Sequence, residues 1–356
     1  MRSLFLLALA LPLAAQQETI ALIGLRHSHT WGHLENLAKG GAARLVAISE
    51  TEPELVSEAK KITSPDVRYY TDTAKLLDEV KPTMVWSFVE NNRHHEVVQA
   101  CAPRKIHVIF EKPLAATFAQ AQTIEKLARQ HGIQVLTNFS PAFSPEYHAI
   151  KAALDSGAIG APWRLRATTG HGGVFPKSGR NRIFHEWLID PVKNGAGALM
   201  DFGCYNILYS LYFLGRPESV YAYALHLRPA DFPQVEDGVT MVLTYPKAVA
   251  ILEQSWDLPP NSGGFEIVSY EGSIRLEDGK LLLRKGRTPA APLPVQALPP
   301  ERAGAVAYLV ACLRARRPVE GLTSLAFTTQ VNEIIDAAKL SIKKRTPVKL
   351  SAAPAR

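Results

Sequence analysis

Short apolar runs alternate with amphipathic stretches through the first 139 residues. TIALIG at 19–24 and Arg44–Ser49 are apolar enough for buried strands; between them, the helical stretch Thr30–Lys39 ends at the stop pair Gly40 and Gly41. Further helical stretches over Pro53–Ile62 and Thr73–Val80 flank the short segment RYYTD. Lys81 and Pro82 lead into a strand over Thr83–Val89, and the next helix starts near His95. Ile106–Phe110 is another apolar run, ended by Glu111, Lys112 and Pro113, because proline cannot donate to a strand ladder and keeps the residue before it extended. A helix over Thr117–Gln130 places Phe118, Ala121, Ile124, Leu127 and Ala128 on one face, and Ile133–Phe139 reads as a last strand. Strands alternating with helices at this spacing predict a doubly wound parallel sheet.

Beyond Phe139 the period changes. After a helix over Pro145–Leu154, the segments WRLRATT, SVYAYALHL, GVTMVLTY, AVAILEQSW, FEIVSYEGSIRLE and GKLLLRKG alternate with period two and are separated by turns. They predict a large, mostly antiparallel open sheet in an α+β arrangement, interrupted early by a helix over Gly203–Leu214. Helices over Arg302–Arg314 and Leu325–Lys339 close the chain, after a proline-rich linker around 288–300. The expected organisation is a parallel-sheet domain over 18–139 and a second domain over 140–350.

Composition changes this picture little. With 47% hydrophobic and 21% charged residues, the 356-residue chain is neither disordered nor fibrous. The net charge of +7 comes from scattered basic residues. Lys339, Lys343, Lys344 and Arg345, the densest cluster, lack aromatic interleaving and read as a solvated helix end rather than a nucleic-acid surface. Cys101, Cys204 and Cys312 are far apart and show no metal spacing, so neither a disulfide framework nor a structural metal is expected. At the N-terminus, Arg2 precedes the apolar run Leu4–Leu13, then Ala14, Ala15 and Gln16. That run is too short to span a bilayer and suits a signal peptide over 1–15, which predicts an exported protein with no stable membrane insertion.

Two constellations carry candidate chemistry. The first strand leads into Gly24, Leu25, Arg26, His27, Ser28 and His29, where a dinucleotide fingerprint would read GxGxxG. The first glycine is present; Arg26 and His29 replace the others, and the Arg26 guanidinium offers charge to a phosphate in place of close backbone approach. His27, His29 and His33 lie at a loop-to-helix junction and read as capping or packing residues. Glu50, at the end of the second strand, is placed to accept ribose hydroxyls and to repel a 2′-phosphate, which prefers NAD over NADP. Lys112, at the carboxyl end of a parallel strand, stands where open α/β sheets bind ligands.

The second constellation is the run NGAGALMDFGCY. Asp201 and Tyr205, four apart, share a face on a helical turn, where the carboxylate can orient the phenol. An ammonium nearby would lower the phenol pKa from about 10 toward a catalytic range.

EKPLA together with GAGALMDFGCY resembles the Gfo/Idh/MocA oxidoreductase family, in particular its tyrosine-bearing branch with glucose–fructose oxidoreductase and the sugar and dihydrodiol dehydrogenases. The resemblance implies a Rossmann domain followed by an α/β domain with a large open sheet. It implies that Lys112 reaches the nicotinamide ribose and the substrate hydroxyl, with Glu111 beside it at the cofactor. Asp201 then orients substrate, Tyr205 is the acid/base, and Gly24, Arg26, Glu50 and, in the loop after the fourth strand, Asn91 and His94 bind the dinucleotide. Arg26, His29 and Glu90, the last replacing a usual proline, depart from the family pattern. The implied activity is NAD(P)-dependent hydride transfer with a sugar, polyol or related CH–OH substrate. An NAD-using glycosidase and a non-catalytic sugar-binding scaffold stand as alternatives. His171, Arg182, His185 and Asp190 are candidates for a sugar pocket, no metal is expected, and an open sheet face suggests a homo-oligomer.

Overall fold

The computed structural model describes residues 17–173, 179–277 and 279–351; the expected signal peptide lies outside them. The N-terminal half builds β1 (Glu18–Ile23), α1 (Thr30–Ala38), β2 (Ala43–Ser49), α2 (Pro53–Lys60), β3 (Arg68–Tyr70) and α3 (Thr73–Val80). It continues with β4 (Met84–Ser87), α4 (His94–Cys101), β5 (His107–Glu111), α5 (Phe118–His131) and β6 (Val135–Asn138). All six strands are parallel, in the order β3-β2-β1-β4-β5-β6. The order reverses between β1 and β4, which opens a crevice at their carboxyl ends. The strands are apolar throughout because both faces are covered. Ile20, Leu22, Trp86 and Ile109 pack on one side with Trp31 and Leu34 of α1, while Ala21, Ile23, Val85 and Val108 pack on the other with α3, α4 and α5.

The C-terminal half contains α6 (Pro145–Asp155), β7 (Pro162–Gly170), α7 (Arg182–Leu188), α8 (Cys204–Leu214), β8 (Ser219–Leu225), β9 (Gly238–Thr244) and β10 (Val249–Ser255). Then follow β11 (Gly264–Ser269), β12 (Gly272–Glu277), β13 (Lys280–Lys285), β14 (Ala291–Pro292), α9 (Ala305–Arg314), α10 (Leu325–Lys344) and β15 (Val348–Lys349). These strands form one nine-stranded sheet in which only β7 and β10 run parallel. Its inner face, with Leu165, Met241 and Leu252, packs on α8 and α10 through Ile207, Leu211, Val331 and Ile335. Trp163, Tyr221 and Tyr223 stand exposed. No helix among the described residues is long and apolar enough to cross a membrane.

Candidate active site

Lys112 follows β5 directly, and its ammonium is turned inward toward the second half of the chain. Its Nζ donates to Asp201 Oδ1 at 2.5 Å and to the Asp201 carbonyl at 3.0 Å, and lies 5.2 Å from the centroid of the Tyr205 ring. The lysine and the carboxylate are both buried. Burial pulls the Lys112 pKa down, but the Asp201 carboxylate, with Tyr205 and Cys204, outweighs it and leaves Lys112 above its ordinary range. Asp201 moves the opposite way: burial raises it, and Lys112 and Trp256 together hold it below its usual value.

The turn that delivers Asp201 is a π-helix, Leu199–Gly203, which runs into α8. The expected α-helical turn therefore gives way to a wider one, a geometry recurrent at functional sites. Gly197 permits it, since a Cβ there would meet the Glu236 carbonyl oxygen at 1.9 Å. Asp201 has no oxygen free of a protein donor, because Trp256 Nε1 donates to Oδ2 at 2.9 Å. The sequence reading missed Trp256, which lies 55 residues downstream with no local signal linking it to Asp201. Tyr205 also departs from expectation. Burial raises its phenol pKa by more than Lys112 lowers it, with Cys204, Glu111 and Asp201 adding to the rise. The phenol keeps its proton across the physiological range.

The loop after β1 is tightly closed. Gly24 has φ +78°, and a Cβ there would approach Val89 Cγ1 to 2.7 Å and Val89 N to 3.1 Å. The Gly24 N–H donates to Ser49 O, Leu25 N–H to Glu50 Oε2, Arg26 N–H to Phe88 O, and His29 N–H to His27 Nδ1. Glu50 also accepts the N–H groups of Thr51 and Glu52. Arg26 is held by carboxylates: its guanidinium lies 3.6, 2.9 and 3.1 Å from Glu50, Glu52 and Glu90. From the other half, α7 covers the loop, with Trp187 Nε1 donating to Arg26 O and the Phe184 ring 4.7 Å from His27.

Asn91 and His94, at the carboxyl end of β4, are each tied into the framework through one side-chain nitrogen, and Asn91 Oδ1 and His94 Nε2 keep no protein partner. Asn91 Nδ2 donates to Asn194 Oδ1 at 2.8 Å, tying the two halves together. His94 is buried, stacks 4.3 Å from Phe110 and donates Nδ1–H to Leu114 O. Burial lowers its pKa to about 4, so it is neutral. Of the candidate sugar contacts, His171 lies at the site, its ring 4.9 Å edge-on to Phe202 and its charge acting on Asp201, while Arg182 pairs with Glu54 and Glu186, Asp190 accepts the N–H groups of Val192 and Lys193, and His185 is buried.

Glu111 is a second cluster centre. Its oxygens are 2.9 Å from His29 Nδ1 and 3.4 Å from His33 Nε2, and Asn138 Nδ2 donates to it at 2.9 Å. His27, His29 and Glu111 bring three candidate ligand atoms within 4.8 Å. However, His27 Nδ1 accepts a backbone N–H, so the neutral ring carries its proton on Nε2, and a protonated nitrogen cannot ligate. Burial alone would raise Glu111, yet its hydrogen bonds and charge interactions with the two histidines hold it well below the ordinary 4.5. A depressed folded-state pKa contributes stability that is complete above the unfolded value and lost as pH falls through the folded one. Glu111→Gln is therefore expected to flatten the acid side of the stability profile. Urea midpoints from pH 6 down to pH 3 check this, with the wild type falling more steeply.

Comparison with known proteins follows this geometry closely. Residues 19–139 match the model of an oxidoreductase family with an NAD-binding Rossmann fold, and residues 147–275 match the GFO/IDH/MocA C-terminal domain. The chain belongs to the Gfo/Idh/MocA oxidoreductase family. Among curated relatives, myo-inositol 2-dehydrogenase of Thermotoga maritima is 28% identical over 204 residues, 57% of each chain. D-xylose 1-dehydrogenase (NADP(+)) 2 of Haloferax volcanii is 30% identical over 193 residues, 53% of this chain and 55% of its own. The chain thus spans somewhat more than half the length of these relatives. Among solved structures, aldose-aldose oxidoreductase from Caulobacter crescentus superposes with TM-score 0.80 at 20% identity, covering 94% of this chain and all of that one. Levoglucosan dehydrogenase superposes with TM-score 0.78 at 22% identity, covering 94% and 99%.

The Gfo/Idh/MocA cofactor is a dinucleotide, and the residues present fit it at the redox end, where buried Lys112 and Glu111 close β5 beside the Tyr205 phenol. At the ribose end, Glu50 Oε2 accepts one N–H and retains a second lone pair. Between them, the backbone donors of Gly24, Leu25, Arg26 and His29 are engaged within the protein, which leaves the N–H groups of His27 and Ser28 and, once off its carboxylates, the Arg26 guanidinium to meet a diphosphate. Arg26 thus puts a guanidinium where the glycine fingerprint has its second glycine.

Proposed function

We propose that the chain is an NAD(P)-dependent oxidoreductase acting on a CH–OH group of a sugar, polyol or related substrate. The observation that carries this reading is the meeting of Lys112, Asp201 and Tyr205 at the carboxyl end of β5. The relatives support it, being a polyol and a sugar dehydrogenase by name. Bound nicotinamide supplies the hydride chemistry. The chain's own residues supply the proton and its orientation. Tyr205 gives its Oη proton to the substrate oxygen in the reducing direction and, as phenolate, takes that proton back in the oxidising direction. Lys112, fixed by Asp201, places positive charge beside that oxygen as alkoxide character develops. Asp201, whose oxygens each accept one donor, from Lys112 and from Trp256, orients the lysine and keeps a lone pair on each oxygen to accept from a substrate hydroxyl.

The acidic end of β2 favours NAD over NADP. The N-terminal apolar run supports export, and the exposed aromatic positions on the open sheet support a homo-oligomer. The second reading, a sugar-binding protein without redox turnover, is favoured by one feature, the Arg26 clamp. NADH titration separates the two. The oxidoreductase reading expects saturable binding, and Glu90→Gln, which removes one of the three carboxylates on Arg26 and a repelling charge, should tighten it by about three- to tenfold at low salt. Absence of binding by both proteins at millimolar NADH supports the scaffold.

A further inference from the structure

A cavity of about 670 Å³ has Tyr205, Glu111, His29, His33 and Asn138 at one end. It does not stop there. Its wall includes His29, just before α1, and Gly40 to Ala43, just after it, so it runs the whole length of that nine-residue helix, about 13 Å. Residues 303–307, at the start of α9, form the facing wall, with Trp86 and Phe143 between.

The chemistry of the lining changes along this length. The Tyr205 end gathers phenol, carboxylate, carboxamide and two imidazoles. Past His33 the side chains are Leu37, Ala42, Ala43 and Val306, with Asn36 and Ser140 the polar exceptions. A second sugar ring there would leave most of its hydroxyls without protein partners, a desolvation cost that an apolar group does not carry. The uncapped first turn of α9 offers backbone N–H groups, enough for one ether or carbonyl oxygen but not for a ring of hydroxyls. The volume lies in the range of drug-sized ligands and exceeds what one pyranose fills.

We propose that the substrate is a glycoside carrying an apolar, aromatic aglycone, with the sugar at Tyr205 and the aglycone between α1 and α9. This rests on the oxidoreductase reading for which end reacts. The aromatic walls at Trp86 and Phe143 suit a flat ring better than an alkyl chain.

Calorimetric titration tests this with methyl, phenyl and 4-methylumbelliferyl β-D-glucosides, galactosides and xylosides, with and without saturating NAD+. The expected result is that, in at least one sugar series, the aryl glycosides bind tenfold or more tightly than the methyl one. Val306→Trp, which fills the space between the helices, should bring the aryl glycosides down to the methyl value. Should that variant not fold, Ala303→Trp, at an exposed position on the same wall, takes its place. Equal affinity across aglycones in every series, no binding by any member, or an aryl advantage that survives the blocking variant overturns the proposal. NADH binding in the same samples keeps the two questions apart: NADH bound without an aryl preference leaves the redox reading standing. An aryl preference without NADH binding leaves the cavity standing and removes the redox reading.

Discussion

Lys112→Met is expected to abolish measurable turnover and to lower the unfolding free energy by about 3–5 kcal/mol. The methionine fills most of the lysine volume, but it leaves Asp201 as a buried carboxylate without its cation, and breaking one side of a buried pair costs that much. The Trp256 N–H remains on Oδ2 and offsets only part of the loss. The double variant Lys112→Met/Asp201→Asn removes the stranded charge, so it should recover most of the stability and none of the activity. Urea unfolding of the wild type and the two variants, with activity measured on the same samples, separates the structural from the chemical role. A double variant as unstable as the single one would contradict the ion-pair explanation.

Tyr205→Phe is expected to cut turnover by about 100- to 10,000-fold, the range typical of a lost general acid or base, while leaving dinucleotide binding near the wild-type value. The ring keeps its edge-on contact with Phe139, whose centroid lies 5.4 Å away, so the packing survives. Because burial raises the phenol pKa, Tyr205 is protonated through neutral pH and is ready as an acid in the reducing direction. Reduction rates in the wild type should therefore stay flat to at least about pH 9, with oxidation favoured as pH rises. A pH–rate profile in both directions checks this; a reduction rate that already falls between pH 7 and 8 would mean a lower phenol pKa than the geometry supports.

The architecture was legible because its signals are local. Strand runs such as Ile106–Phe110, buried on both faces, read as apolar without alternation, and those of the second sheet alternate because that sheet has an open face. Lys112 and Asp201 stood out for similar reasons: a lysine before proline at a strand end, and a carboxylate after small residues at a helix start. What these residues touch was not legible. Arg26 seemed free for a phosphate because nothing local shows that Glu52 and Glu90, on two other loops, converge on it. Glu50 reads as a ribose ligand, and its folded role includes holding the loops after β1 and β2 through the N–H groups of Leu25, Thr51 and Glu52. The effect of Lys112 on Tyr205 has the expected sign, but burial of the phenol, which the sequence does not show, outweighs it. Trp256 and the start of α9 carry no local mark at all, since their importance arises only where distant segments meet.

The most direct measurement is a crystal structure grown with NAD+. A nicotinamide ring within about 4 Å of both Lys112 Nζ and Tyr205 Oη, with Arg26 withdrawn from Glu52 and Glu90 toward the diphosphate, is the expected result. A dinucleotide bound elsewhere, or a crevice that stays closed with Arg26 on its carboxylates at saturating NAD+, would contradict it.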